Sequence, residues 1–266
     1  MRTAVVVGAG IGGAAAAVAL QGLGWQVTVL ERARELGEVG AGLSIWPSAV
    51  SVLHDLGVKG VEPAPRPAGH WGMRMANGRW IARSDQLNVP SPVMIHRAQL
   101  HSRIRDEFTS QITVRTEFTV TGVEQDAAGA TVRSGAEQVR ADLVVAADGL
   151  RSTVRGALHP RYGGPRYAGY TSYRGLADVK TDDGGGETWG RGRRFGFARL
   201  TDGRIYWYAT ANTPAGRGGD LGEVKTLFGD WHAPIPAILA ATTTVLKHDL
   251  YDLTLPLVPF VSGRVV

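Results

Sequence analysis

The apolar run Thr3–Val7 opens directly into Gly8-Ala9-Gly10-Ile11-Gly12-Gly13, and no other junction in the chain constrains the fold as much. A short β-branched run bounded by glycines predicts a buried parallel strand. The alanine-rich stretch Ala14–Leu23 predicts a helix packed closely on it, and Gln26–Leu30 a second strand ending at Glu31. Strand, glycine turn, helix, strand is one βαβ unit with a right-handed crossover. Gly8, Gly10 and Gly13 stand at the spacing of a dinucleotide fingerprint. The first glycine permits the tight turn, the second lets backbone approach a pyrophosphate, and the third lets helix and strand touch. The helix N-terminus adds free N–H groups and a partial positive charge. Glu31 stands where a carboxylate accepts hydrogen bonds from a ribose diol and repels a 2′-phosphate. This turn is therefore expected to hold FAD or NAD and not NADP; the alternative for Glu31 is a solvated loop charge.

Pro47–Leu56 predicts a helix stopped by Gly57. Met73–Arg83 predicts a hairpin around Asn77-Gly78. Leu100, Ile104 and Phe108 give Arg97–Phe108 helical spacing, and strands are predicted over Thr113–Gln125, Ala130–Ser134 and Val139–Ala147. Beyond Arg155 the sequence becomes aromatic and β-rich, punctuated by Gly163-Gly164-Pro165 and Gly184-Gly185-Gly186. Phe195–Leu200 and Arg204–Ala209 flank Thr201-Asp202-Gly203 as a second hairpin; Leu221–Trp231 and Ile235–Ala241 read as helices. The fold class is α/β: a Rossmann-like nucleotide-binding domain over 1–69 and 97–162, and a mostly antiparallel β domain over 70–96 and 163–262. Ser262–Val266 reads as a turn entering an apolar strand, with 263–266 the start of a return strand whose continuation is missing, or else a short edge strand.

Bulk properties exclude several classes. The chain has no cysteine, which rules out disulfides, thiolate metal sites and cysteine nucleophiles, and fits a cytoplasmic location. No apolar run reaches the ~18 residues of a membrane span, and a strand beginning at Thr3 leaves no room for a signal peptide. The net charge of +5 is modest and the basic stretch Arg191–Arg194 is short, so no nucleic-acid partner is expected. His54, His70, His96, His101, His159, His232 and His248 show no metal-ligand spacing, and no Gly-x-Ser-x-Gly elbow is present.

A second motif narrows the reading. Asp148-Gly149-Leu150-Arg151-Ser152-Thr153-Val154-Arg155 follows the strand-like Leu143–Ala147. Asp148 can organise the glycine loop and Ser152 can cap a helix. Arg151 and Arg155 either meet phosphate or stay ion-paired or solvated. With the glycine turn upstream, this pair of motifs resembles the flavin-dependent aromatic hydroxylases, the class A flavoprotein monooxygenases with a p-hydroxybenzoate-hydroxylase-like fold. The resemblance implies an FAD-binding domain of glutathione-reductase type. Gly37–Pro47 resembles the segment running past the ribityl chain and flavin, and Arg97 matches an arginine that contacts FAD, unless it is a surface residue at a helix start. Arg32, Ser44 and Val120 join Gly8, Gly10, Gly13, Glu31, Arg97 and Asp148 in the implied cofactor site.

Tyr167–Gly175 resembles the crossover into the family's substrate domain, and Trp189–Gly196 with Asp202–Tyr208 its central hairpin. The pattern is nearest the branch holding FAD-dependent urate hydroxylase, salicylate and 3-hydroxybenzoate hydroxylases and zeaxanthin epoxidase. An arginine and a tyrosine serve the urate enzyme's active site there; by motif they are Arg194 and Tyr206. The other reading of Tyr206 is ordinary sheet packing. A two-residue turn at Asp202-Gly203 puts the two on opposite faces, a three-residue loop over 201–203 on the same face. Ser48 stands where the family has asparagine. The family's second flavin motif, Gly-Asp-Ala-Ala-His-Pro or similar, is absent and would begin a few residues after Val266.

The resemblance implies that NADH or NADPH reduces FAD, O2 adds to give a flavin C4a-hydroperoxide, and its distal oxygen hydroxylates or epoxidises a small aromatic or apolar substrate. The alternatives are a truncated, catalytically incompetent fragment, or a flavin reductase or oxidase on the same scaffold.

Overall fold

The computed structural model describes residues 1–37, 42–62, 70–84, 92–217, 219–253 and 259–266. The first part of the chain gives β1 (Thr3–Val7), α1 (Ile11–Gly22), β2 (Gln26–Leu30), β3 (Gly42–Ile45), α2 (Pro47–Asp55), β4 (Gly72–Met75), β5 (Trp80–Arg83), β6 (Val93–His96) and α3 (Arg97–Arg105). Then follow β7 (Ile112–Arg115), β8 (Gly122–Asp126), β9 (Gly129–Ser134), β10 (Glu137–Ala141), β11 (Leu143–Ala146) and α4 (Thr153–Leu158). The rest is β12 (Arg166–Ala177), β13 (Gly186–Gly190), β14 (Arg193–Arg199), β15 (Ile205–Ala211), α5 (Leu221–Phe228), α6 (Ile235–Ala240) and β16 (Thr242–Asp252).

The βαβ unit forms as the glycine spacing predicts. β1 is a central strand of a parallel sheet ordered β11-β1-β2-β7. Its valines feed two cores. Val6, Val27 and Val29 pack under α1 and α3 with Ala14, Ala17, Leu100 and Ile104. Val5, Val7 and Leu30 face the other way, onto Ala130, Val132 and Val154. That second face is covered by the antiparallel sheet β10-β9-β8 and by α4. Burial on both faces explains why the strands read as continuous apolar runs.

Two predicted strands are each two strands. Thr113–Gln125 breaks after Arg115: Glu117 adopts φ 58°, and the N–H groups of Glu117 and Phe118 bond to the carbonyls of Ala33 and Glu31, turning the chain into β8 of another sheet. Val139–Ala147 breaks at Asp142, whose carboxylate accepts the Thr3 N–H at 2.7 Å and its hydroxyl at 3.0 Å. That anchor turns antiparallel β10 into parallel β11. The helices predicted over Arg97–Phe108 and Leu221–Trp231 end at Arg105 and Phe228. The boundary expected at 69/70 adjoins 63–69, which lie outside the described residues. At the far end, Val265 is buried beside β11: Arg264 O accepts from Val144 N–H at 2.9 Å, and Val266 N–H donates back to Val144 O at 3.0 Å.

The second large sheet has the order β16-β12-β15-β14-β13-β4-β5 and is antiparallel except between β13 and β4. Period-two alternation divides its faces. Tyr173, Phe195, Trp207 and Ala209 point under α5 and α6. Phe195 stacks on Trp207 at 5.3 Å, and the indole N–H donates to Thr242 Oγ1 at 2.8 Å. Tyr206, Tyr208 and Thr210 point to the opposite face. β3 and β6 form a two-stranded antiparallel ribbon between the two large sheets, with Met94 of β6 packed against Leu200 and Tyr206.

Phe195 is fully buried in the helix-covered core. Phe195→Ala is expected to destabilise the fold by about 3–5 kcal/mol, read from urea unfolding by far-UV circular dichroism. A loss under about 1 kcal/mol would show that the ring is not packed as described.

Candidate functional site

The glycine turn is held by close contacts. Gly8 has φ +98°, and a Cβ there would lie 2.4 Å from Ala147 O. A Cβ on Gly13 would lie 1.9 Å from Gly8 O, so α1 rests on the turn itself. Gly10 caps α1 with φ −66° and ψ 179°, and no side chain caps this helix. Ala9 is held through both of its backbone polar groups. Its N–H donates to Glu31 Oε2 at 2.9 Å, and its carbonyl lies 2.6 Å from Nε2 of the buried His101. A carbonyl only accepts, so Nε2 carries the proton. Glu31 Oε1 accepts from Ala33 N–H at 2.9 Å. Glu31 is thus no solvated charge; it fixes the turn while keeping lone pairs for a further donor. The histidine pattern showed no metal spacing and so missed His101; its place on the buried face of α3, between Leu100 and Ile104, was the available signal.

Arg32 is exposed in the bend after β2, beside Glu31. Val120 lies between β7 and β8, half-buried against the core on the other side of the parallel sheet.

Asp148 sits against the same turn: its Cα would be 3.1 Å from a Cβ on Gly8. Its Oδ2 accepts from the Thr153 and Val154 N–H groups at 2.8 and 3.1 Å. Ser152 Oγ accepts from Arg155 N–H at 2.9 Å and caps α4 as expected. Asp148 Oδ1 is buried with no hydrogen-bond partner. Leaving such an acceptor unmet costs about 1–3 kcal/mol. Of the two arginines of this segment, Arg155 is hydrogen-bonded within the protein and Arg151 is exposed. Arg155 bonds the Leu150 carbonyl at 2.6 Å and the Gly149 carbonyl at 3.4 Å, and Arg151 lies over the Tyr251 ring at 5.4 Å.

The β3–β6 ribbon carries Ser44 and leads directly into Arg97. Gly42 pairs with His96 and Ser44 with Met94, and Arg97 follows His96 as the first residue of α3. Ser44 Oγ lies 3.2 Å from Met94 Sδ. Of the segment Gly37–Pro47, residues 38–41 lie outside the described residues. Ser48 follows Pro47 in the first turn of α2.

The hairpin register is settled by three residues. Leu200 N–H bonds Arg204 O, Gly203 N–H bonds Leu200 O, and Gly203 has φ 90°. The loop therefore spans 201–203. Arg194 pairs with Thr210, which shares a face with Tyr206. Both line a cavity of about 480 Å³ with Arg174, Glu187, Trp189 and Tyr208. The Arg194 guanidinium lies over the Trp189 ring at 4.8 Å. Tyr206 is 7% exposed, and a Cβ on Gly42 would meet its ring at 2.4 Å. The Tyr208 hydroxyl donates to Glu187 Oε2. Burial, then the Glu187 bond, push the Tyr208 phenol far above its ordinary range; burial alone raises Tyr206. The sequence reading missed Arg174, Glu187 and Tyr208, although alternation along β15 gave a signal for the last. Among the described residues, no three His, Asp or Glu side chains gather as a metal site, and no helix is long and apolar enough to cross a membrane.

The chain is similar along almost its whole length to known proteins. A model of the FAD binding domain family matches residues 1–184. An aurachin C monooxygenase/isomerase from Stigmatella aurantiaca is 35% identical, over 99% of this chain and 72% of its own length. An FAD-dependent urate hydroxylase from Klebsiella pneumoniae is 30% identical, over 98% of this chain and 72% of its own. A 3-amino-4-hydroxybenzoate 2-monooxygenase from Streptomyces cremeus is 32% identical, over 98% and 70%. The crystal structure of Klebsiella pneumoniae HpxO with FAD and uric acid superposes with a TM-score of 0.83 at 28% identity, covering 99% of this chain and 71% of that one.

Tyr173, Tyr206 and Tyr208 all have phenols raised first by burial. A raised folded-state pKa contributes stability fully present below the ordinary phenol value and lost as pH climbs through the folded value. In an alkaline titration at 295 nm, these three of the seven tyrosines should ionise only as near-UV circular dichroism is lost. All seven ionising together in the ordinary phenol range, with the fold intact, would contradict the packing described.

Proposed function

The chain belongs to the FAD binding domain family, with FAD-dependent monooxygenases and hydroxylases among its relatives, and on that footing we propose that it is an FAD-dependent monooxygenase. Its reductant is NADH or NADPH and its co-substrate O2, and it hydroxylates or epoxidises a small aromatic or apolar molecule. The contact of Tyr206 with Gly42 carries this reading. It joins the polar cavity of one sheet to the ribbon that bears Ser44 and leads into Arg97, so cofactor-side and substrate-side residues share one boundary.

The residues fit the cofactor. Gly8, Gly10 and Gly13 form a turn that leaves the N-terminus of α1 without a side-chain cap, open to a pyrophosphate. Glu31 would take the ribose diol, with Arg32 and Val120 flanking the adenosine end. Asp148, which holds the loop packed against the Gly8 turn, would stand beside the pyrophosphate. Ser44 and Arg97 would border the flavin from the β3–β6 ribbon. FAD bound in this site would supply the electron transfer and oxygen activation that no side chain of this chain can perform. The protein's part is positioning. Arg194 binds a polar or anionic group of the substrate, and the Tyr206 phenol donates a hydrogen bond to a ring oxygen. The aromatic walls exclude water from the reacting edge. The parallel-sheet portion, 1–69 and 97–162, serves as an FAD domain of glutathione-reductase type, and 70–96 with 163–262 as the substrate domain.

Purified protein should take up FAD, turn yellow, and consume NADH or NADPH and O2 with an oxygenated aromatic product. Failure to bind any flavin would end this reading, whereas reductant oxidation with only peroxide released would make the protein a flavin oxidase or reductase. Gly13→Val places a side chain where the Gly8 carbonyl already lies. The obstructing atom is backbone, so α1 must shift off β1, and the variant should lose stability as well as FAD affinity, the latter by at least about tenfold; unchanged affinity would show that the turn is not the binding site.

A further inference from the structure

The polar face of the seven-stranded sheet is a grid. Glu187, Gly196, Tyr208 and Arg174 form one row across β13, β14, β15 and β12. Trp189, Arg194, Thr210 and Ser172 form the next row. Glu187 and Arg174 therefore stand at opposite ends of one row, three strand spacings or about 14 Å of backbone apart, with their side chains in the same cavity.

Gly196 decides what happens between them. A Cβ there would be 2.3 Å from Tyr208 Cε1 and 2.6 Å from its hydroxyl oxygen, so the phenol lies directly over the glycine. From there it reaches Glu187 and donates to Oε2. A pocket carboxylate with an arginine one row away would ordinarily close an ion pair. Here Tyr208 holds Glu187, and the Arg194 guanidinium is turned onto Trp189. Among the described residues, Glu187, Arg174 and Arg194 form no ion pair. Acceptor and cations are thus both presented to the cavity, and Glu187 Oε1 is left for a second donor. A purely apolar ligand would desolvate all three charges without replacing their hydrogen bonds, and a ligand with only an anionic group would leave Glu187 unmet.

Resting on the reading of this cavity as the substrate site, we propose that Glu187, locked by Tyr208 across Gly196, is a specificity-determining acceptor. It selects planar rings that carry an N–H or O–H donor on the edge opposite an anionic or carbonyl group held by Arg174, the cation of the same row, while Arg194 in the next row meets a further polar group of the substrate.

The test is isothermal titration of the protein with 4-hydroxybenzoate, 4-methoxybenzoate and benzoate. The first carries acid and donor on opposite edges, the second replaces the donor by an ether, and the third lacks it. Wild type should bind 4-hydroxybenzoate about tenfold tighter than either comparator, the size expected of one hydrogen bond to a charged acceptor. Glu187→Ala should equalise the three, and Glu187→Gln, which can still accept, should restore part of the preference. No preference in wild type, no binding of any of the three, or an unchanged preference in Glu187→Ala would overturn the proposal. FAD uptake measured on the same preparations separates the two claims. A wild type that takes up no flavin counts against the monooxygenase reading; one that takes up flavin and shows no preference counts against Glu187 alone.

Discussion

Helix α1 lies so close over β1 that a Cβ on Gly13 would sit 1.9 Å from the Gly8 carbonyl oxygen, and the rest of this end of the sheet is arranged around that approach. The approach fixes the path of residues 8–10. Glu31 from β2 and His101 from α3 then hold the two backbone polar groups of Ala9. Asp148, at the end of β11, closes on Gly8 from the third side. Three elements remote in sequence thus meet at the Gly8–Ala9 turn, and only a glycine at position 8 has both the φ and the space to allow it.

The second half of the molecule obeys a different rule. Its long strands sort side chains by parity, sending Phe195, Trp207 and Ala209 under two helices and Tyr206, Tyr208 and Thr210 to a polar cavity. A sheet with one face fully covered leaves the other for chemistry. The β3–β6 ribbon connects the two rules: Gly42 lets the Tyr206 ring lie on its backbone, and Thr201 N–H at the hairpin tip bonds Met94 O at 3.2 Å.

Much of this was legible in the sequence because it is local. The glycine turn, the Asn77-Gly78 hairpin and the Ser152 cap each follow from the preferences of a few adjacent residues. The splits at Glu117 and Asp142 were not legible, since both are imposed by partners far along the chain: Ala33 and Glu31 for one, Thr3 for the other. The hairpin loop at 201–203 was open between two registers, because a glycine in either satisfies the local rule. Only cross-strand pairing of Arg194 with Thr210 places Arg194 beside Tyr206. His101 and Glu187 escaped for the same reason. One bonds a residue 92 positions away and the other a residue 21 away, across an intervening strand.

The central claim is that the Gly8 turn, the Asp148 loop and the β3–β6 ribbon together receive one FAD. Amide hydrogen exchange of the protein with and without FAD tests it most directly. The account predicts slowed exchange in peptides covering 8–14, 42–46 and 148–155 together, with the helix-covered core around Phe195 unchanged. Unaltered exchange in all three segments, or protection confined to some other surface, would contradict it.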